Sequence, residues 1–131
     1  VGLSLVAEKL LGTSETEFVH QIVPRTAVEK TLFVGVSLAA GLGEELAYRG
    51  YAIPLLAGLV GSEWIAAVFT SGIFGFLHAY QGYVGVIRTA LMGLVLAAVF
   101  LLSGSLWPAM VAHALIDLAG GLVLGPRLLE R

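Results

Sequence analysis

The sequence contains no cysteine and few charged residues. Without cysteine the chain can form no disulfide, no thiolate metal site and no cysteine nucleophile. Only 12% of its 131 residues are charged, whereas a soluble domain carries roughly 25%. The chain also lacks the Lys- or Arg-rich patch that binds nucleic acid. These absences exclude several classes of protein and leave too few charges to cover a soluble surface.

Long apolar runs are the main feature that is present. Residues Trp64 to Ile87 and Thr89 to Ile116 contain no Asp, Glu, Lys or Arg. Hydrophobic residues make up 58% of the chain, and its mean hydropathy is +0.95. A helix of roughly 20 apolar residues crosses a bilayer and satisfies its own backbone polar groups there. The composition therefore predicts an all-α, polytopic transmembrane helix bundle surrounded by lipid. The alternative, buried helices of a large soluble protein, conflicts with the shortage of charge.

Four spanning helices are predicted from the positions of prolines, glycines and capping residues. Pro54 is expected to end or kink the first helix. Ser62 is expected to cap the second, and Pro108 lies in the first turn of the fourth, where its missing N–H does no harm. The predicted helices cover residues 27–51 or a little beyond, 62–80, 84–102 and 106–124.

The polarity of the chain divides it into three parts. A helical or interfacial N-terminal segment covers residues 1–28, the helical core covers residues 29–126, and a tail covers residues 127–131. Because the chain starts at Val1 rather than Met, we expect a fragment or a processed form, and no signal peptide is visible.

Basic residues predict the orientation of this bundle. Five of them fall before the first helix, at the turn between the second and third, or after the fourth: Arg25, Lys30, Arg88, Arg127 and Arg131. Loops rich in Lys and Arg stay in the cytoplasm. Both ends of the chain are therefore predicted to be cytoplasmic.

A small set of ionisable side chains lies inside the predicted spans. Such residues are costly in a membrane and are functional candidates by default. Three of the four helices contribute to the set, which is typical of a site assembled inside a bundle. The set consists of Glu44, Glu45, Arg49, His78, His113 and Asp117.

The two adjacent glutamates are predicted to differ in role. Glu45 and Arg49 are four residues apart, so they share a helix face and can form an ion pair. Glu44 is rotated by about 100° from Glu45 and has no partner nearby in the sequence. A carboxylate left free in this way is suited to act as a general base. The structural alternative is an ion pair whose main role is to let both charges survive in the membrane, with the orientation of Glu44 as a consequence.

The histidines allow two interpretations as well. His78 lies four residues after Phe74, whose ring can pack against the imidazole, and a lone histidine on an apolar helix is more often structural than catalytic. His113 and Asp117 are also four residues apart and by themselves predict a hydrogen-bonded pair. Together with Glu44, these groups could activate water and stabilise an oxyanion.

Three short motifs carry a resemblance to a known family. "EELAYR" at residues 44–49, "FGFLH" at residues 74–78 and "HALID" at residues 113–117 are similar to the EExxxR, FxxxH and HxxxN/D motifs of one group of membrane proteins. This is the CAAX-protease and bacteriocin-processing (CPBP, or Abi) family of intramembrane endopeptidases. All three motifs occur in order, within hydrophobic helices, and the resemblance covers most of the chain.

The resemblance implies a role for each position. Glu44 would activate the attacking water with the help of His78, and Glu45 and Arg49 would brace the first helix. His113 and the residue at position 117 would form the oxyanion site. The implied substrate is a lipidated CAAX-type protein or a bacteriocin-like peptide, and the expected location is the plasma membrane of a prokaryote.

Asp117 departs from the eukaryotic CAAX protease, which has Asn at this position. An ionised Asp would repel an oxyanion, so it must be protonated or must orient His113 as the imidazolium. The family does include Asp there. A zinc site also stays open, because Glu44, His78, His113 and Asp117 are all acceptable ligands. The spacing is not HExxH, and metal-independent glutamate catalysis is favoured over a zinc cofactor.

Two functions other than proteolysis remain. The first is a non-catalytic scaffold or a bacteriocin self-immunity protein with the same fold. The second is a proton-coupled transporter, which also uses buried Glu and His. Four spans without an internal repeat fit a transporter poorly. The presence of competent side chains at every motif position favours the endopeptidase.

Overall fold

A computed structural model describes residues 21–126 and shows an all-helical chain in this range. The predictions for residues 1–20 and for the tail at 127–131 lie outside the described residues. Five α-helices lie wholly within residues 21–126: α1 (Ala27–Glu45), α2 (Ile53–Val60), α3 (Glu63–Leu77), α4 (Gly82–Ser103) and α5 (Leu106–Leu118). A π-helical segment, Leu46–Ala52, joins α1 to α2, and a second, Ala119–Leu124, extends α5.

Helix α1 begins where a capping box closes its first turn. The Thr26 hydroxyl accepts a hydrogen bond from the Glu29 N–H at 3.2 Å, and the Glu29 carboxylate accepts one from the Thr26 N–H at 3.1 Å. This reciprocal arrangement satisfies two backbone donors that a helix start leaves unpaired. The predicted start of the first helix is thereby confirmed.

The end of this helix differs from the prediction. Pro54 does not end it, because the helical chain continues to Val60 and stops at Gly61, whose φ is +74°. The regular α geometry changes earlier, at Leu46, where the turns widen and the Ile53 N–H bonds to the Tyr48 carbonyl. Pro54 then lies in the first turn of α2, where a missing N–H is tolerated. Such π segments occur often at functional sites.

Of the two serine N-caps in the later helices, only Ser62 was predicted from the sequence. Ser62 and Ser105 are the N-caps of α3 and α5, and each accepts a hydrogen bond from the first turn of its helix. Helix α3 ends at Leu77, earlier than predicted, because the chain tightens into a single 3₁₀ turn, Ala79–Gln81. Gly82 follows with φ +79° and starts α4. The remaining boundaries agree with the prediction.

Two antiparallel helix pairs position the site. Helix α3 packs along α4, and α1 packs along α5. Glycines allow both pairs to approach closely: a Cβ at Gly75 would lie 2.6 Å from the Val86 carbonyl oxygen, and one at Gly41 would lie 2.9 Å from the Met110 carbonyl oxygen. Helix α2 closes one end of the bundle through a small apolar core made of Ile53, Ala66, Ala67 and Ala97.

The distribution of polarity is inverted relative to a soluble protein. Large apolar side chains cover the outside: Leu59 and Leu102 are each 79% exposed, and Phe76 is 71% exposed. Charged side chains lie inside, since Glu45 and Arg49 are 0% and 1% exposed. Soluble proteins almost never bury such residues unless they are paired, and membrane proteins turn them towards the bundle interior.

Two segments in the described range are long and apolar enough to cross a membrane, Ala79–Ser103 and Leu106–Leu124. They correspond to the third and fourth predicted spans. Helix α3 is apolar but has only 15 residues, and α1 carries charge at both ends. The prediction of four spanning helices therefore stays a prediction.

Candidate active site

Glu45 occupies the centre of the polar interior. Arg49 Nη1 donates to its Oε1 at 2.7 Å, which confirms the predicted pair. Arg49 Nη2 donates to the Gly93 carbonyl on α4, also at 2.7 Å. The guanidinium carbon also lies 5.0 Å from the centre of the Phe74 ring, close enough for a cation–π contact. Arg49 therefore ties the first helix to α3 and α4 as well as neutralising Glu45.

His113 is the second partner of Glu45, and sequence analysis missed this contact. Its Nδ1 lies 2.7 Å from the same Oε1 that binds Arg49. Because an ionised carboxylate can only accept, the Nδ1–H must be the donor. The two residues are 68 positions apart, so no local spacing could have indicated the bond.

The other face of His113 is turned towards Glu44 and Asp117. Nε2 lies 3.8 Å from Glu44 Oε2 and 3.7 Å from Asp117 Oδ2, within ion-pair range but beyond a good hydrogen bond. The side chain of His113 is 7% exposed, whereas those of Glu44 and Asp117 are each 36% exposed. The site therefore has a sealed side at Glu45 and an open side at Glu44.

His78 joins this group through Phe74. Its Nδ1 lies 2.7 Å from the Phe74 carbonyl oxygen, which can only accept, so Nδ1 carries the proton. The imidazole also packs on the Phe74 ring at 4.7 Å, as predicted. The Phe74 ring in turn meets the His113 ring edge-on at 6.0 Å. In the neutral tautomers set by these bonds, Nε2 of both histidines carries a free lone pair.

Asp117 interacts electrostatically with the other three residues of the open side. The Asp117 carboxyl interacts with Glu44, His113 and His78. The structure therefore brings together all six ionisable residues singled out in the sequence, four at the open side and two, Glu45 and Arg49, at the sealed side. Their chemical roles stay predictions.

Tyr48 was not singled out from the sequence and lies at the same site. Its ring packs edge-on against Phe74 at 4.9 Å, and its hydroxyl interacts electrostatically with Glu44 and Arg49. The signal that could have found it is its spacing, since Tyr48 lies four residues after Glu44.

Two buried polar atoms in the described residues have no hydrogen-bond partner, Glu45 Oε2 and Ser71 Oγ. Burial of an unpaired polar atom costs free energy. Glu45 therefore makes all its hydrogen bonds through Oε1, and its burial depends on Arg49 and His113 together.

The positions of the described side chains bear on the zinc alternative. Within residues 21–126, no three His, Asp or Glu side chains converge closely enough to hold one ion. The structure also has an apolar hollow of about 400 Å³ on the outer face of α3, between Val68 and Phe76. No ionisable side chain lines it, so it is separate from this site.

Comparison with known proteins supports the resemblance. Residues 27–119 match the family described as type II CAAX prenyl endopeptidase Rce1-like. No curated protein and no solved structure gives a significant match. The matched region begins with α1 and ends just after α5, so it includes all three motifs and every residue of the site. This family consists of membrane-integral proteases, and the chain belongs to it.

Proposed function

We propose that the protein is an intramembrane endopeptidase that hydrolyses a peptide bond of a membrane-associated substrate, with Glu44 activating the attacking water. The observation that supports this most is the asymmetry of the site. Glu45 is sealed and bound by Arg49 and His113, while Glu44, one residue earlier, is 36% exposed and has no hydrogen bond shorter than 3.5 Å to another described residue. A base must be reachable by water and must not be consumed by a structural pair.

The reaction balances with the groups present. Glu44 accepts a proton as the water oxygen bonds to the carbonyl carbon, and the carbonyl oxygen becomes an oxyanion. When the C–N bond breaks, that proton passes to the leaving nitrogen, and a carboxylic acid and an amine result. Nε2 of His78, which has a free lone pair in this tautomer, can accept a hydrogen bond from the same water and orient it.

An ionised Asp117 would repel the oxyanion. Asp117 can therefore take part in such a site only if Asp117 itself or the neighbouring His113 carries a proton. His113 Nε2 lies 3.8 Å from Glu44 Oε2 and 3.7 Å from Asp117 Oδ2, so these three groups interact through their charges. With Glu44 ionised to act as base, the proton resides on His113 or Asp117. Either location provides one hydrogen-bond donor for the oxyanion. An Asp at position 117, where the eukaryotic protease has Asn, is then compatible with the proposed reaction.

Metal-independent chemistry is part of the proposal, because the placed side chains supply a base and a donor without converging on an ion. The substrate is proposed to be a lipidated CAAX-type tail or a membrane peptide. His78 of the open side ends α3, and the positive-inside rule predicts a cytoplasmic position for the α3–α4 turn that follows it. Substrate would therefore enter from the cytoplasmic side of a prokaryotic plasma membrane.

The experiment is a comparison of protein termini by mass spectrometry in membranes from cells that express the full-length protein or its Glu44→Gln variant. We expect new termini in the first sample that are missing in the second, at equal abundance of folded protein. A metal chelator should leave these termini unchanged. If Glu44→Gln retains them, Glu44 is not the base. If neither sample shows new termini, the scaffold or immunity role replaces the proposal.

A further inference from the structure

The open side of the site is rich in hydrogen-bond acceptors and poor in donors. Glu44 acts as a carboxylate, and both histidines use their Nδ1–H groups on other partners, His78 on the Phe74 carbonyl and His113 on Glu45. Their Nε2 atoms carry lone pairs in the neutral form. Only the single proton shared by His113 and Asp117 remains to face an oxyanion.

Stabilisation of a tetrahedral intermediate normally uses more than one donor aimed at the developing negative charge. A second donor must therefore come from a neighbouring side chain or from the backbone. The α-helical N–H groups around Glu44 are used within the helix, so a side chain is the more direct source.

Tyr48 carries a hydroxyl that interacts electrostatically with Glu44. Glu44 and Tyr48 are four residues apart, as are Glu45 and Arg49, so two pairs lie side by side along the helix. The Phe74 ring holds Tyr48 at 4.9 Å, His78 at 4.7 Å and His113 at 6.0 Å. One ring thus fixes the tyrosine beside both imidazoles.

The Tyr48 hydroxyl is available for a ligand. Tyr48 is partly exposed, and none of the residues 21–126 forms a hydrogen bond with its hydroxyl. In the π segment that contains it, Arg49 bonds to Glu45 and to the Gly93 carbonyl, and Gly50 approaches Leu106 so closely that a Cβ there would lie 3.0 Å from its side chain. A fixed ring with an unengaged O–H at a catalytic opening suits a preorganised donor.

We propose that the Tyr48 hydroxyl donates a hydrogen bond to the scissile carbonyl oxygen as it becomes the oxyanion, and that it is a catalytic residue of this site. The inference rests on the proposed function above. No proton leaves the phenol during the step. The hydroxyl strengthens a bond that already exists to the carbonyl as negative charge builds on its oxygen.

The test compares Tyr48→Phe with Tyr48→Leu and with Tyr51→Phe in the full-length protein. Tyr51 lies on the same π segment and is 68% exposed, which makes it the matched control. The rate of appearance of the Glu44-dependent termini should fall by roughly 100-fold in Tyr48→Phe, the usual effect of losing one oxyanion donor. With a peptide spanning the identified cleavage site, kcat should fall while KM and the thermal midpoint stay unchanged, because Phe keeps the ring packed on Phe74.

The outcomes separate the two proposals. If Glu44→Gln abolishes cleavage and Tyr48→Phe cleaves at the wild-type rate, the base is correct and the tyrosine is only a wall of the site. If the Tyr48 ring only packs in the site, Tyr48→Leu should lose cleavage activity while Tyr48→Phe keeps full activity. A raised KM with unchanged kcat in Tyr48→Phe would overturn the donor role. If no Glu44-dependent termini exist, both proposals fall together.

Discussion

Glu44 and Glu45 are neighbours in the chain but lie in opposite environments. Glu45 is fully buried and accepts hydrogen bonds from Arg49 and His113 at 2.7 Å each. Glu44 is partly exposed, and its nearest charged partner is 3.8 Å away. Helical geometry alone separates them, since adjacent residues point about 100° apart. A single helix can therefore present a structural carboxylate to the interior and a reactive one to water.

The sealed side also determines the geometry of the open side. His113 is shared between them, with Nδ1 on Glu45 and Nε2 towards Glu44. A change at Glu45 must therefore reach the open side through His113, whereas a change at Glu44 need not disturb the fold. Substitutions on the two sides should separate stability from activity.

Removal of Arg49 should have the largest effect. Arg49→Ala leaves Glu45 as a buried carboxylate with only His113 as a partner, and breaking a buried pair costs about 3–5 kcal/mol. We expect loss of folded protein, measured as detergent-extracted yield and as the midpoint of thermal unfolding. Arg25→Ala, at an exposed arginine before α1, is the control. Equal stability of the two variants would show that the sealed side is not essential to the fold.

Conservative changes at the two glutamates should give the next largest contrast. Glu45→Gln keeps the size of the side chain but weakens two charge-assisted hydrogen bonds, which are each worth about 1.5–3 kcal/mol. Glu44→Gln removes no such bond and should change stability by less than about 0.5 kcal/mol. Both variants should lose cleavage, the first with a lowered unfolding midpoint and the second without one. A marked loss of stability in Glu44→Gln would mean that the two carboxylates share one structural role.

Gly41 and Gly43 on α1 allow a test of how tightly α1 packs against α5, the helix that carries His113. A Cβ at Gly41 would lie 2.9 Å from the Met110 carbonyl oxygen and 3.0 Å from the Ala114 side chain, whereas one at Gly43 would meet nothing within 4 Å. Overpacking costs about 1–3 kcal/mol. Gly41→Ala should also slow cleavage, because it pushes away the part of α5 that carries His113.

Gly43→Ala is the matched control for that change. An alanine in an unobstructed helix position should stabilise the protein by about 0.4–1 kcal/mol. Cleavage should be unaffected, although Gly43 directly precedes Glu44. The interpretation fails if both variants show the same shift in unfolding midpoint, because the α1–α5 contact would then not be tight.

The contacts that sequence analysis predicted are those set by helical spacing. The pairing of Glu45 with Arg49 and the packing of Phe74 on His78 both follow from a separation of four residues. The N-cap at Ser62 follows from the hydrogen-bonding chemistry of its hydroxyl. These features depend on neighbours along one helix, so a sequence contains all the information that they require.

The missed contacts depend on how separate helices pack. The bond from His113 to Glu45 and the bond from Arg49 to the Gly93 carbonyl join residues 68 and 44 positions apart. Of the two outcomes expected at Pro54, the end of the first helix was wrong, because the helical chain continues to Val60. A proline is expected to interrupt an α-helix, but Pro54 lies in the first turn of α2, directly after the π segment, where a missing N–H is tolerated. The resemblance to a family indicated that the six ionisable residues form one site. Spacing along the sequence alone could not have indicated this.

Asp117→Asn should have the smallest effect on stability and cleavage. It tests whether the open side needs a hydrogen-bond donor or a negative charge at position 117. Asn has nearly the same shape as Asp and can donate a hydrogen bond from its side-chain nitrogen at any pH. The partly exposed position has no hydrogen bond in the described structure whose loss would destabilise the fold, so the unfolding midpoint should stay within the error of measurement. If Asp117 or His113 already supplies a proton to the oxyanion, Asn replaces that donor, and cleavage should persist within roughly tenfold of wild type. A complete loss of cleavage would instead show that the carboxylate itself is required, with His113 held as the imidazolium by its charge.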